Sequence, residues 1–226
     1  MYDRETVAAL EAVPSKAAPI PQVPADKGIV DESPLGMAAS HLEGHSDASD
    51  VGGVLFQEQG GMGLLTLRMN AREREQTDTF EQLMGVALPT RPLTSNVNGD
   101  RAIRWLSPDE WLMSVPRGAV YELQCRFHEL MPGHCALIDV SGGLAAWRLS
   151  GDRVTDLLRK CVPVDLHPLE FPVGKVVSTV FAKSSCTLRR EGIDTFELLV
   201  RRSYSDYCWR WVRDASREFG LKRCKG

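Results

Sequence analysis

The chain has 226 residues, 43% of them hydrophobic and 25% charged, which suits one domain or two merged halves with a real core. Its net charge of −3 argues against a general nucleic-acid role, because counterion release from a phosphate backbone needs clustered positive charge. No run approaches the ~20 apolar residues that a membrane-spanning helix needs.

Residues 1–52 read as an extended, acidic, proline-containing arm. Five of the thirteen prolines stand at 14, 19, 21, 24 and 34, where each removes a backbone donor and pushes its predecessor to extended geometry. Residues 1–60 carry ten acidic and three basic side chains, a balance of −7 that leaves +4 for the remainder. The stretch 43–52 is linker-like in composition. Between these polar segments lies an apolar island, residues 33–42, with Leu35, Met37 and Leu42 as its anchors. Such an island docks on something, either the domain itself or a partner.

The first structured half is expected over residues 53–140. Leu64, Leu65, Leu67 and Met69 suggest a strand, and Phe80, Leu83, Met84 and Val86–Leu88 suggest a helix that begins near Thr77. Residues 101–106 and 111–115 read as strands joined by the tight turn Ser107-Pro108-Asp109-Glu110. A helix over 118–131 places Tyr121, Cys125, His128, Leu130 and Met131 near one side, and residues 134–140 form the next strand. The order is β-α-β-β-α-β, a ferredoxin-like unit. A second half over 141–226 repeats a related order: a strand at 144–149, a helix opened by Gly151-Asp152, strands near 174–182, 184–190 and 195–201, and a last helix over 204–219. In that helix Ser203 and Asp206 stand at capping-box spacing, and Tyr204, Tyr207, Cys208, Trp211, Val212, Ala215 and Phe219 mark the inward face. The halves share negligible sequence identity, so the repeat is architectural. The predicted fold is α+β, two ferredoxin-like halves behind an extended arm.

Chemistry-bearing patterns are few. The six cysteines, at 125, 135, 161, 186, 208 and 224, form no C-x-x-C, and no basic-then-apolar leader precedes them. Reduced thiols in a cytoplasmic protein are expected. His41, His45 and Asp47 have helical metal-ligand spacing, but Gly44 and the Ser/Asp context favour a solvated linker. Cys161 with Asp165 and His167 contains the residue types of a nucleophilic set, yet a turn in which Asp165 bonds local backbone and Pro168 fixes direction fits better. Asp109-Glu110 flank a turn where solvated acids are common. Ser141-Gly142-Gly143 precedes another strand, not a helix or a lysine, so these glycines make a bulge or tight turn. No dinucleotide fingerprint is present. Residues 201–226 carry eight basic and three acidic side chains, a solvated face or a docking surface for acidic groups. No catalytic, cofactor-binding or metal-binding residue is assigned.

Several segments together carry a family resemblance: Ser33-Pro34-Leu35, Ser107-Pro-Asp-Glu-Trp-Leu-Met113, Asp139-Val-Ser-Gly-Gly143, Ala146-Trp-Arg-Leu-Ser-Gly-Asp-Arg153, Cys161-Val-Pro-Val-Asp-Leu-His-Pro168 and Phe196-Glu-Leu-Leu-Val-Arg-Arg-Ser-Tyr204. They resemble the γ subunit of heterotetrameric sarcosine oxidase, a member of the folate-binding aminomethyltransferase superfamily. The related γ chain of four-subunit N-methylglutamate dehydrogenase is similar too. The resemblance implies an aminomethyltransferase-like fold and assembly with larger α and β flavoprotein subunits and a small δ subunit. It implies that FAD, FMN, NAD, tetrahydrofolate and zinc reside on those other subunits, with no cofactor in this chain. The complex it implies demethylates sarcosine oxidatively to glycine and passes the one-carbon unit to tetrahydrofolate. The docking target of Leu35, Met37 and Leu42 is then a larger subunit.

Catalytic relatives in that superfamily hold an aspartate in a hairpin just before the strand equivalent to 195–201. Ser184-Ser185 stand at that point here, beside Lys183, Cys186 and Thr187, and none of these is a carboxylate base. The Lys-Gly-Cys and Gly-Gln-Glu segments of the iron–sulfur-assembly branch are absent as well. A self-sufficient folate-dependent methyl-transfer enzyme and a free-standing regulatory folate binder are the competing readings.

Overall fold

One run of elements, strand–helix–three strands–helix–strand, occurs twice after a single leading strand. The structure is a computed structural model that describes residues 33–36 and 53–224. The leading strand is β1 (Val54–Glu58). The first run is β2 (Met62–Arg68), α1 (Arg74–Met84), β3 (Ser95–Asn98), β4 (Arg101–Ser107), β5 (Glu110–Pro116), α2 (Val120–Leu130) and β6 (Ala136–Asp139). The second is β7 (Leu144–Ser150), α3 (Val154–Arg159), β8 (Val176–Phe181), β9 (Ser184–Gly192), β10 (Thr195–Arg201), α4 (Ser205–Ala215) and β11 (Leu221–Cys224). A single 3-10 turn precedes the second helix of each run, Arg117–Ala119 before α2 and Arg202–Tyr204 before α4.

The strands form two sheets, ordered β3-β4-β5-β2-β6 and β11-β1-β7-β10-β9-β8. Without its edge strand β3, the first sheet has the strand order of a ferredoxin-like unit. The second sheet has the same order once β8 is set aside and β1 is removed from between β11 and β7. The sequence reading of two ferredoxin-like halves therefore describes the architecture, with one extra edge strand in each. It places β1 wrongly. Residues 53–140 were expected to act as one half, but β1 pairs antiparallel with β7 and parallel with β11, inside the other sheet. The path to that slot is tight. A Cβ on Gly151 would lie 2.5 Å from the carbonyl oxygen of Gly53, and Gly151 has φ +115°, so glycine is required where the β7–α3 turn crosses the entry to β1.

Helices cover the outer face of each sheet. Phe80, Leu83 and Met84 of α1 and Val120, Leu123 and Phe127 of α2 pack with Leu65, Leu67, Ile103, Trp111, Met113 and Val115. Val154, Leu157 and Leu158 of α3 and Cys208, Trp209 and Val212 of α4 pack with Phe56, Trp147, Leu149, Phe196, Leu198 and Val200. At Gly63 a Cβ would meet Val120 Cγ2 at 2.1 Å, so the missing side chain is what lets α2 lie against β2. α1 starts earlier than read, at Arg74, and Thr77 turns its hydroxyl back onto the Glu73 carbonyl. Gly85, at φ 67°, stops it with its N–H on the Glu81 carbonyl.

Two helix faces differ from the sequence reading, in the same direction. On α2 the buried residues are Val120, Leu123 and Phe127, while Tyr121 and Leu130 face solvent. On α4 Cys208 and Val212 are buried as read, with Tyr207, Ala215 and Phe219 packed on the core, but Trp209, 4% exposed, is buried in place of Trp211, 39% exposed. Tyr207 and Trp211 stack on each other on the flank, with centroids 6.2 Å apart. Aromatic side chains with a polar tip tolerate such half-wet positions, so an aromatic stripe alone overstates burial. The Ser203 cap is also not made. The residue before the helix is Tyr204, and no side chain caps that end.

Candidate functional site

Strand alternation turns a second set of residues inward, toward the opposing sheet. Leu64 and Leu112 of the first sheet meet Ala146 and Leu199 of the second in a small apolar layer. Further along the same inner faces the side chains are charged. Glu197 on β10 lies directly across from Arg148 on β7 and from Arg189 on β9. Arg104 on β4 reaches it from the other sheet.

Arg104 grips Glu197 with two parallel bonds, Nε to Oε2 at 2.6 Å and Nη2 to Oε1 at 2.5 Å, and its Nη2 also donates to Ser114 Oγ at 3.1 Å. Arg189 donates from Nε to Glu197 Oε2 at 2.9 Å and from Nη2 to Glu191 Oε1 at 2.5 Å. Arg148 completes the row, its Nε 2.7 Å from Glu191 Oε2. The bidentate fork is the strong form of this contact. Burial by itself would raise the Glu197 pKa, but the charges and hydrogen bonds of Arg104 and Arg189 outweigh it and hold the carboxyl near 2. The Arg104–Glu197 fork runs from one half to the other and clamps the two sheets, while the Arg148 and Arg189 bonds tie β7, β9 and β10 together within the second sheet.

The network floors a cleft of about 720 Å³ between the sheets. Ser95–Val97, the β3–β4 turn, Val173 and Gly174 form its rim. Backbone bonds close that side: Ser95 N–H donates to the Gly174 carbonyl, and Thr94 bridges Lys175. Nothing in the sequence analysis singled out these five charged residues. The available signal was one charge inside each apolar strand, as in Ile103-Arg104-Trp105, Trp147-Arg148-Leu149 and Phe196-Glu197-Leu198, and the ordinary reading of such a position is a solvated face.

The residues weighed in the sequence fall elsewhere. Asp165 accepts the His167 backbone N–H at 2.9 Å, as the turn reading expects. Cys161 is buried, and burial pushes its thiol up to about 12, so it is no nucleophile at neutral pH. Cys186 reaches about 12 and Cys208 about 11 for the same reason, and all six thiols are free. Asp109 is exposed on its turn and held below the usual carboxylate range, first by the Ser107 hydroxyl and then by Arg68. Ser141-Gly142-Gly143 form a 3-10 turn in which Ser141 Oγ accepts the Leu64 N–H at 2.9 Å. Ser184 is buried at the start of β9, and Ser185 follows it. The hairpin that directly precedes β10 carries Asp194 instead, but its side chain is exposed. Arg223, on β11, lies 5.8 Å from the Trp209 ring and 3.7 Å from Glu58, so part of the basic C-terminal stretch is bound within the fold. His41, His45 and Asp47 lie outside the described residues. Among the described residues, no group of three or more His, Cys, Asp or Glu could hold a metal ion, and no helix is long and apolar enough to cross a membrane.

The docking island needs a correction. Leu35 is 0% exposed and belongs to the core of the second half, with Val54, Phe56 and Trp147. Ser33 Oγ hydrogen-bonds Glu58, and the Leu35 N–H donates to Ser33 Oγ at 3.1 Å. An apolar side chain this deep in its own domain gives nothing to a partner. Of the two targets open to the island, Leu35 takes the domain itself. Met37 and Leu42 lie outside the described residues.

Over residues 68–218 the chain matches the sarcosine oxidase, gamma subunit family. The chain belongs to that family. Its similarity to sarcosine oxidase subunit gamma of Corynebacterium sp. strain P-1 is 33% identity over 143 residues, 61% of this chain and 68% of the relative. With the same subunit of Corynebacterium sp. strain U-96 it is 30% over 188 residues, 80% and 89% of the two chains. Among solved structures, a chain of heterotetrameric sarcosine oxidase from Corynebacterium sp. U-96, in complex with pyrrole 2-carboxylate, superposes with a TM-score of 0.74 at 26% identity, covering 85% of this chain and 98% of that one. The glycine cleavage system aminomethyltransferase T of Bartonella henselae superposes with a TM-score of 0.55 at 13% identity, covering 84% of this chain and 51% of that one, which shows the shared fold alone. For the γ-subunit family the aminomethyltransferase-like architecture is therefore present here in both halves.

Proposed function

We propose that this chain is the non-catalytic γ subunit of a heterotetrameric, flavin-dependent sarcosine oxidase. That complex converts sarcosine to glycine and passes the one-carbon unit to tetrahydrofolate. FAD, FMN, NAD, folate and zinc are held by the larger α and β subunits and the small δ subunit. The observation that carries the reading is the family match from residue 68 to 218 on a fold that aligns with a chain of the heterotetrameric enzyme. The composition of the sites supports the non-catalytic part. Ser184 and Ser185, at the start of β9, offer no carboxylate, and Asp194, the acid of the hairpin that directly precedes β10, is exposed and does not line the cleft between the sheets. The acids between the sheets are committed to arginines, and Glu197, held near pKa 2, is too weak a base to serve there.

In this reading the chain contributes rigidity. Two sheets clamped by the buried Arg104–Glu197 pair present a fixed surface for the subunits that carry the chemistry. Co-expression with its neighbouring genes tests this. A complex that retains the chain through size-exclusion chromatography and oxidises sarcosine is the expected result, with N-methylglutamate assayed beside it to assign the substrate. Purified alone, the chain should be colourless and inert toward sarcosine. A flavin absorption band on the lone chain, or a complex that forms without it, would overturn the proposal.

A further inference from the structure

The cleft between the sheets is not balanced in charge. The charged side chains of its two inner faces are Arg104, Arg148 and Arg189 against Glu191 and Glu197, which leaves one positive charge over, and the Arg148 side chain is 43% exposed there. Arg101 and Arg190 turn instead to the outer faces, Arg101 onto the Met84 carbonyl and Arg190 onto the Leu166 and Phe171 carbonyls and the Phe196 ring, and add no charge to the cleft. Two donors on the cleft wall are buried and have no acceptor, Arg104 Nη1 and Gln59 Nε2. Arg104 itself is 0% exposed. A buried donor left unmade is a standing penalty, and a charged one more so. The site therefore has room, surplus positive charge and unmet N–H groups, and the group that answers all three is a carboxylate.

The rim indicates where that carboxylate comes from. Val97 and Val173 stand on opposite lips of the cleft and are more than half exposed. Leu93 is also exposed, beside the Thr94–Lys175 bridge that joins the lips, and it is held at φ 61°, an unusual conformation for a branched side chain. A freely diffusing acid would gain nothing from an apolar collar. A protein segment that carries an acidic residue between apolar neighbours would cover the collar and seal the charge from water, which is the usual anatomy of an interface anchor.

Resting on the proposed assembly into a multi-subunit complex, we infer that this cleft is the docking socket for a larger subunit, which inserts an aspartate or glutamate toward Arg104 and Arg148 and covers Val97 and Val173 with apolar side chains. Both docking valines lie far in sequence from Leu35, whose role is internal.

The test is co-purification of the full chain with its co-expressed partner subunits, followed by size-exclusion chromatography. Val97→Asp with Val173→Asp sets like charge at the mouth on exposed positions, where folding is not at stake. It should weaken retention of the chain by about tenfold or more. Arg104→Lys keeps the charge against Glu197 but removes the spare Nη1 donor, and Arg148→Gln removes one cation. Each should weaken assembly while thermal melts of the lone chain confirm that it folds. Ile138→Asp, on the exposed edge strand β6, is the control and should assemble as wild type does. If wild type itself fails to co-purify, the proposed function falls. If wild type assembles and the rim pair assembles equally well, the socket falls. Loss with the rim pair but not with either arginine variant would refute the carboxylate. Succinate stabilising the assembled complex through Arg148 would show a cleft open to small acids and refute the subunit as its occupant.

Discussion

Removing the charge of Glu197 should be among the most damaging single changes in this chain. Glu197→Gln keeps the shape but leaves Arg104, 0% exposed, and Arg189 without their shared counter-ion. Breaking a buried pair by removing one partner costs about 3–5 kcal/mol, because the remaining charge stays buried. The pH dependence gives a second, independent signature. The carboxyl falls from an ordinary 4.5 to about 2 in the folded protein. A lowered folded value means that the stabilisation is fully present above the unfolded pKa and is lost as pH falls from about 5 toward 2. The loss is about 3 kcal/mol by linkage. Urea titrations followed by circular dichroism between pH 7 and pH 2.5 would measure both. The wild type should lose stability steeply below pH 5, and Glu197→Gln should start lower and lack that share of the acid slope. A variant with the wild-type slope would refute the reasoning, because Glu197 would then not be the titrating group. Replacing the pair together, Glu197→Leu with Arg104→Met, should cost less than Glu197→Gln alone, since Arg104 leaves with its counter-ion and Arg189 keeps Glu191.

Trp209→Ala should cost about 3–5 kcal/mol in a denaturant titration, since its ring packs 4.6 Å from Phe56 in the core, whereas Trp211→Ala should cost about 1 kcal/mol or less. Equal losses would show that the α4 face is misassigned. Leu35→Ala should lower the stability of the lone chain by about 2–4 kcal/mol, and a chain unaffected until partner subunits are added would return Leu35 to a docking role. With Ellman's reagent at pH 8, Cys161, Cys186 and Cys208 should stay unlabelled in the folded protein, because burial raises their pKa values to about 12, 12 and 11, while half-buried Cys125, Cys135 and Cys224 supply the reacting thiols. Labelling of all six at one rate would contradict the burial described.

What the sequence made legible followed from local patterns. Alternation and turn residues marked β4, β5, β7 and β10, whereas the apolar pattern of α1 was carried through Val86–Leu88, past the stop at Gly85. The elements that escaped depend on distant pairing. Strand β1 carries the short run Val-Leu-Phe-Gln-Glu and β11 only Leu-Lys-Arg-Cys, and each is a strand because the other lies beside it in parallel register, more than 160 residues away. Strand β3, Ser-Asn-Val-Asn, pairs with β4 alone within its sheet and is fixed across the cleft by Gly174 and Lys175. Amphipathic periodicity misjudged α2 and α4 because a helix with apolar residues on adjacent stripes has two nearly equivalent phases, and the close approach at Gly63 decides which side of α2 faces the sheet.

The cleft was invisible for a related reason. In a sheet with one wet face, a charge between apolar neighbours means solvent, and Arg104, Arg148 and Glu197 sit in that setting, while β9 departs from it with Arg189-Arg190-Glu191. Only the packing of the second sheet on the first turns the expected wet face into an interior. Once that occurs, the same residues change meaning: charges that would be interchangeable on a surface must now be paired one by one, each with a partner set by register. Arg148 and Arg189 flank Glu197 because β7 and β9 flank β10, and Arg104 meets it only because the two halves stack. An architectural repeat with negligible sequence identity can therefore still be specific, since Arg104 of one copy finds its counter-ion on Glu197 of the other, among four charges that pair across β7, β9 and β10. The one positive charge left over, beside an apolar rim, is the part of that interior still facing outward.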